Sequence, residues 1–125
     1  MNTPATLKYT KSDEWFDPAS GKVGLTDFAQ SQLSDIVFVE ILVAAGDEVK
    51  IGTPIASVES VKAAAETYSP VAGKVVAVNP DLAGTPETLN SNPFGAGWMI
   101  QVEGASAAGL LDAAAYEKDC EGRAH

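Results

Sequence analysis

The sequence predicts a mainly β fold with one short helix in its N-terminal half and a closing helix near its C-terminus. Three observations carry that expectation. Short apolar or alternating runs recur along the chain, of which Ile36–Val43 is the strongest and richest in β-branched residues. Gly and Pro punctuate these runs closely, as in Asp17-Pro18-Ala19-Ser20-Gly21 and Gly52-Thr53-Pro54. Helical spacing is confined to the stretches after Thr26 and after Ser106. Strands this brief and this close together favour a compact antiparallel core over a parallel α/β sheet, which needs long crossovers.

Taken in order, Leu7–Tyr9 reads as an opening strand and Trp15-Phe16 as the second. Asp17 and Pro18 set the following bend, and Gly21 tolerates positive φ. Lys22–Leu25 is the third strand. Thr26 or Asp27 caps a helix of about two turns, with Phe28, Ala29 and Leu33 near one face. Ile36–Val43 is expected as a central strand, interrupted by Glu40. Ala45-Gly46-Asp47-Glu48 turns into a brief strand at Val49–Ile51, and Gly52-Thr53-Pro54 turns again into Ile55–Glu59. Thr67–Ser69 leads to Pro70, and Gly73 precedes the alternating strand Lys74–Val78. Asn79–Gly97, rich in Asn, Pro and Gly, reads as an extended loop before a returning strand at Trp98–Val102. Ser106 caps the closing helix, which runs through Tyr116 or beyond with Leu110, Leu111, Ala114 and Ala115 facing the body. Gly109 is awkward in its first turn.

A chain of 125 residues fits one domain, and no linker or low-complexity tract divides it, so residues 1–125 are read as a single unit. The 46% hydrophobic fraction argues against disorder. No apolar run is long enough to cross a bilayer. A net charge of -9 speaks against nucleic acid as a partner, because phosphate binding needs clustered Lys and Arg. The same charge suits a soluble shuttle that meets basic patches on other proteins, with a monomer as the expected state. Cys120 is alone and reads as an incidental thiol near a helix end, and the lone His125 reads as a frayed terminus. One Cys and one His make no metal site of the usual N/S kind. An independent hydrolase is disfavoured, because Ser60 lacks a Gly-x-Ser-x-Gly setting and the single His is terminal. Trp15, Phe94 and Trp98 read as core or loop-pinning aromatics.

The informative segment is Val58-Glu59-Ser60-Val61-Lys62-Ala63-Ala64-Ala65-Glu66, followed by Ser69-Pro70. Lys62 is one of eight basic residues in an acidic chain, and its small neighbours leave the amine accessible. Two readings are open from the residues: a modified lysine at a loop tip, or a surface lysine on a short helix, since Ala, Glu and Lys are good helix formers.

This segment closely resembles the lipoylation site of the glycine cleavage system H protein family. Other stretches resemble the family in the same order: Lys8-Tyr9-Thr10, Glu14-Trp15, Val23-Gly24-Leu25-Thr26-Asp27-Phe28-Ala29-Gln30 and Val37-Phe38-Val39-Glu40. Beyond Lys62 come Ser69-Pro70 with Gly73, Leu89-Asn90, Pro93-Phe94-Gly95, Gly97-Trp98-Met99-Ile100 and Ala115-Tyr116-Glu117-Lys118. A biotin carrier would place methionines beside the lysine, where Val61 and Ala63 stand. Acyltransferase lipoyl domains typically read Asp-Lys-Ala.

The resemblance implies a lipoyl-type barrel-sandwich hybrid of two small antiparallel sheets, with Lys62 at a β-hairpin turn. That expectation overrides local propensity, as tertiary context commonly does over short stretches. It implies lipoic acid in amide linkage to Lys62, on an arm reaching on the order of 10 Å or more. It further implies a non-catalytic carrier of glycine decarboxylation. A pyridoxal-phosphate glycine dehydrogenase would load the arm, and an aminomethyltransferase would pass the carbon to tetrahydrofolate. A flavin (FAD) dihydrolipoyl dehydrogenase would then reoxidise the arm, and a lipoylating enzyme would install it. Ser12, Glu14, Gln32 and Glu66 are candidates for a groove holding the cationic end of the loaded arm, with a solvated acidic rim as the alternative. Glu59 and Glu66 are candidates for recognition by the lipoylating enzyme. Asp13 and Gln32 stand where relatives have histidine, so pH-dependent release through an imidazole is not expected. A lipoate or octanoate relay to other complexes is the alternative role. Met1–Thr10 carries no secretory or transit signature, so a bacterial cytoplasm is expected, or a mitochondrial matrix with the presequence absent from this chain.

Overall fold

The computed structural model describes residues 2–123, so His125 lies outside the described residues. In chain order the elements begin with strands β1 (Lys8–Tyr9), β2 (Glu14–Phe16) and β3 (Lys22–Leu25), then helix α1 (Asp27–Leu33). There follow β4 (Ile36–Ile41), β5 (Glu48–Val49), β6 (Pro54–Ser60), β7 (Ala64–Tyr68) and β8 (Gly73–Val78). Helix α2 (Thr88–Ser91), β9 (Ile100–Glu103) and helix α3 (Ala113–Arg123) complete the fold. The strands form two antiparallel sheets, one ordered β1-β2-β3-β9-β8-β5 and the other β4-β6-β7. The mainly β architecture with helical additions is therefore the one expected.

The core lies between the sheets. Val23, Val75 and Ile100 from the larger sheet and Ile55 and Val58 from the smaller are fully buried. A second cluster holds α1 and α3 against the β1–β2 edge, through Tyr9, Trp15, Phe28, Tyr116 and Cys120. The Tyr9 and Tyr116 rings stack with centroids 4.8 Å apart. Trp15 packs against Gly24, where an added Cβ would come within 2.7 Å of the indole. Its Nε1 donates to Pro93 O at 3.0 Å, so Trp15 pins a loop, and the Phe94 ring stands 6.0 Å away. No helix among the described residues is long and apolar enough to cross a membrane.

Three expectations need correction. Ile36–Val43 was expected as a central strand, but β4 is an edge strand and β6 is central. A register shift between Ile36 and Phe38 turns Val37 and Phe38 to solvent, so an apolar run does not mean burial on both faces. The closing helix starts at Ala113, not Ser106. Leu111 is bound to Tyr9 by reciprocal backbone hydrogen bonds of 2.8 Å, which commits that backbone to a β-bridge. Gly109 sits at φ +87, and Asp112 supplies the cap by accepting from Ala115 N at 2.8 Å. Ala114 and Ala115 consequently face solvent, while Tyr116 and Cys120 face the body. The extended loop also contains α2, whose Asn90 ties it to α1. Asn90 accepts from Ile36 N at 2.9 Å and donates to Gln30 Oε1 and Ser34 O.

Candidate functional site

β6 and β7 form a hairpin whose register runs Ser57↔Glu66, Val58↔Ala65 and Glu59↔Ala64. Val61, Lys62 and Ala63 make its tip. The turn closes through one residue: Ser60 N donates to Ala63 O at 2.8 Å, while Ser60 Oγ accepts from Lys62 N at 3.3 Å and Ala63 N at 3.1 Å. Val61 N donates to Asp35 O at 3.0 Å, anchoring the tip to the segment between α1 and β4. Lys62 is exposed, and its Nζ makes no hydrogen bond or ion pair among the described residues. The helix favoured by local propensity loses here because the ladder from Glu59 to Tyr68 satisfies backbone groups that a single helical turn would leave open.

Beside the hairpin lies a groove of about 180 Å³. One wall is Ser12 and Asp13 from the loop before β2, and another is Ala29, Gln32 and Leu33 from α1. Leu25 of β3 and Ala65 and Glu66 of β7 complete it. The lining combines apolar side chains (Leu25, Ala29, Leu33, Ala65) with the polar ones of Ser12, Asp13, Gln32 and Glu66.

Three of the candidate residues, Ser12, Gln32 and Glu66, thus meet in one groove although they come from three separate parts of the chain. Glu14 does not line it. Glu14 is 1% exposed, with Oε1 accepting from Thr10 Oγ1 at 2.7 Å and Ser12 Oγ at 2.6 Å, and Oε2 accepting from Tyr68 N at 3.2 Å. Burial pushes its pKa above the usual carboxylate value, with the three hydrogen bonds pulling the other way. Glu59 is exposed on β6 between Phe38 and Ala64, close to the tip and outside the groove. Glu66 also borders a shallow depression along β7 with Ser57, Ala64, Ala65 and Tyr68.

Sequence reasoning did not find Asp13, Leu25, Ala29, Leu33 and Ala65 as groove residues. Ala29 and Leu33 carried a helical-face signal, read as core contact. Asp13 carried no local signal. It adopts φ 75, and its carboxylate binds Arg123 and Tyr116, more than one hundred residues away in sequence.

Two facing antiparallel sheets, with a lysine free at the tip of a projecting hairpin, define a lipoyl-type barrel-sandwich domain. The chain matches the family model described as Glycine cleavage H-protein over residues 7–123. It is 50% identical over 118 residues to the glycine cleavage system H protein of Deinococcus deserti, covering 94% of this chain and 97% of that one. It is 46% identical over 128 positions to the protein of that name from Nitratidesulfovibrio vulgaris, covering all of both chains. The crystal structure of a glycine cleavage system H protein from Mycobacterium marinum superposes with a TM-score of 0.84 at 33% identity, covering 92% of this chain and 96% of that one. The chain belongs to the glycine cleavage H-protein family. Membership makes it a carrier component of the glycine cleavage system and implies a lipoate cofactor and the partner enzymes of that system.

Proposed function

We propose that Lys62 is the lipoyl attachment point. The chain, as a single non-catalytic carrier domain and a monomer, shuttles the aminomethyl group of glycine. It takes the group from the decarboxylating glycine dehydrogenase to the aminomethyltransferase, and then meets dihydrolipoyl dehydrogenase. The observation that carries this reading is a free, exposed Lys62 amine on the same hairpin that contributes Ala65 and Glu66 to the groove. The groove begins at Ala65, on the strand leaving the tip, about 10 Å away along an extended chain. An arm with a reach on the order of 10 Å or more covers that distance. When bound, the lipoyl group supplies a dithiolane that opens to accept a group on one sulfur and closes again on oxidation.

The chain's own residues do the rest. Leu25, Ala29, Leu33 and Ala65 cover an apolar stem and exclude water. Glu66 accepts from the ammonium of the cargo, assisted by Ser12 and Gln32. Glu14 acts from behind, holding Ser12 Oγ at 2.6 Å. Asp13 is the other groove carboxylate, and it is already paired with Arg123, which also pairs with Asp119. In open water a Glu66–ammonium pair is worth about 0–1 kcal/mol, so its value depends on the groove excluding solvent. Glu59 and Glu66, flanking the tip on facing strands, present acidic recognition points to the lipoylating enzyme.

Incubation with a lipoylating enzyme and lipoate, followed by intact mass and peptide mapping, tests the assignment. A single lipoyl adduct on Lys62, absent from Lys62→Arg, is expected. Folded protein that gains no adduct while a control substrate does would overturn it.

A further inference from the structure

Arg123, at the end of α3, contacts both the groove residue Asp13 and Phe28, a non-lining residue of the α1 helix that supplies Ala29, Gln32 and Leu33 to the groove. Its Nη2 donates to Asp13 Oδ1 at 2.6 Å and its Nη1 to Asp13 Oδ2 at 3.2 Å. Its Cζ also lies 5.0 Å from the ring centroid of Phe28 on α1. Tyr116, two turns earlier on the same face, joins the walls a second time. Its hydroxyl donates to Asp13 Oδ1 at 2.9 Å and forms a 2.6 Å hydrogen bond with Thr26 Oγ1. With its own proton committed to Asp13, Tyr116 accepts from Thr26. Thr26 Oγ1 is in turn the N-cap of α1, accepting from Ala29 N at 3.2 Å. Asp13 sits in the left-handed region at φ 75, which Asp tolerates better than most residues with a Cβ. Its backbone carbonyl, accepting from Thr26 N at 3.0 Å, is fastened to the same place.

Neither Tyr116 nor Arg123 lines the groove, yet their contacts tie the Ser12–Asp13 wall to α1. We propose that Tyr116 and Arg123 are positioning residues for the arm. Together they form a clasp from the C-terminal helix that sets the spacing of the groove and engages the Asp13 carboxylate, with Arg123 shared between Asp13 and Asp119, leaving Glu66 as the groove carboxylate with no ion-pair partner among the described residues. This rests on the reading of the groove given above. It makes α3 part of the carrier's working apparatus, because the helix determines how long a cargo-bearing arm stays sheltered.

The test uses Tyr116→Phe and Arg123→Met, with Arg123→Lys as the conservative variant, and has two readouts. In unmodified ¹⁵N-labelled protein, both variants should shift the amide resonances of Ser12, Asp13, Ala29 and Gln32 and leave those of β8 unchanged. In lipoylated protein loaded with the aminomethyl group, spontaneous loss consumes one water and releases a thiol, formaldehyde and ammonium, so the rise from one free lipoyl thiol to two reports the rate. Loss should be about fivefold faster in Tyr116→Phe and Arg123→Met at a temperature where both are fully folded, with Arg123→Lys recovering part of the difference. A residue that served stability alone would lower the unfolding temperature without moving either readout. Unchanged or slower loss in both variants overturns the proposal, slower loss because a freed Asp13 would then be governing retention by its charge. Gln32→Trp, which fills the groove, separates the two levels. If it accelerates loss while the clasp variants do not, the clasp fails alone. If it leaves loss unchanged, the groove reading fails and the clasp with it.

Discussion

Glu14 shows how far one side chain's surroundings can depart from its place in a motif. It lies on β2 beside two groove residues, and its carboxylate points inward to Thr10, Ser12 and the backbone of Tyr68. Asp13 at φ 75 explains this, since one left-handed residue redirects the chain entering β2 and no alternation rule carries through it. Burial raises the folded-state pKa of Glu14 above its unfolded value, so the folded protein takes up this proton first as pH falls. Ionised Glu14 therefore costs stability at neutral pH, and the cost disappears as pH falls through the raised pKa toward the ordinary carboxylate range. Wild type should gain stability relative to Glu14→Gln over that interval and lose the gain as pH rises again. Thermal unfolding of the two proteins across mildly acidic pH measures it, and a constant or opposite difference would contradict the assigned direction.

The hairpin tip depends on Ser60 as much as on Lys62. Ser60 Oγ accepts two backbone N–H groups of the turn and donates to Ala63 O at 3.1 Å. Ser60→Ala should cost about 0.5–1.5 kcal/mol, read as a lower urea midpoint with unchanged slope. Amide exchange at Lys62 and Ala63 should rise by more than the global loss accounts for, and exchange that merely follows global stability would show that the turn does not rely on this hydroxyl. The run Ala63-Ala64-Ala65-Glu66 reads as helix locally, and the family resemblance correctly placed it in a hairpin. Pairing with β6 decides the matter, because residues 56–59 of β6 pair in unbroken register with residues 64–67 of β7. At the C-terminus the opposite happened. Ser106 is a fair cap by type, but the bridge between Tyr9 and Leu111 takes the backbone that a helix there would use.

Across the whole molecule, the strands of the smaller sheet contain Glu40, Glu59 and Glu66 and no Lys or Arg, so Lys62 projects from an acidic face. With a net charge of -9, encounter with partners that present basic surfaces should be electrostatically steered. The association rate with the decarboxylating glycine dehydrogenase should fall severalfold between about 20 and about 200 mM salt, while the dissociation rate changes less. Stopped-flow mixing reads both, and an association rate indifferent to salt would rule out steering. The short strands, a cap at Thr26 or Asp27 and a core or loop-pinning Trp15 were readable from local sequence, since turn chemistry, alternation and capping act over a few residues, whereas the role of the lysine-bearing motif came from the family resemblance. The meeting of Ser12, Gln32 and Glu66 was reached only through the family resemblance. The inward turn of Glu14, the edge position of β4 and the ties from Arg123 and Tyr116 to Asp13 were decided by the tertiary structure. Those features join groups from opposite ends of the chain, and their energies exist only once two sheets and a helix have brought those ends within hydrogen-bonding distance.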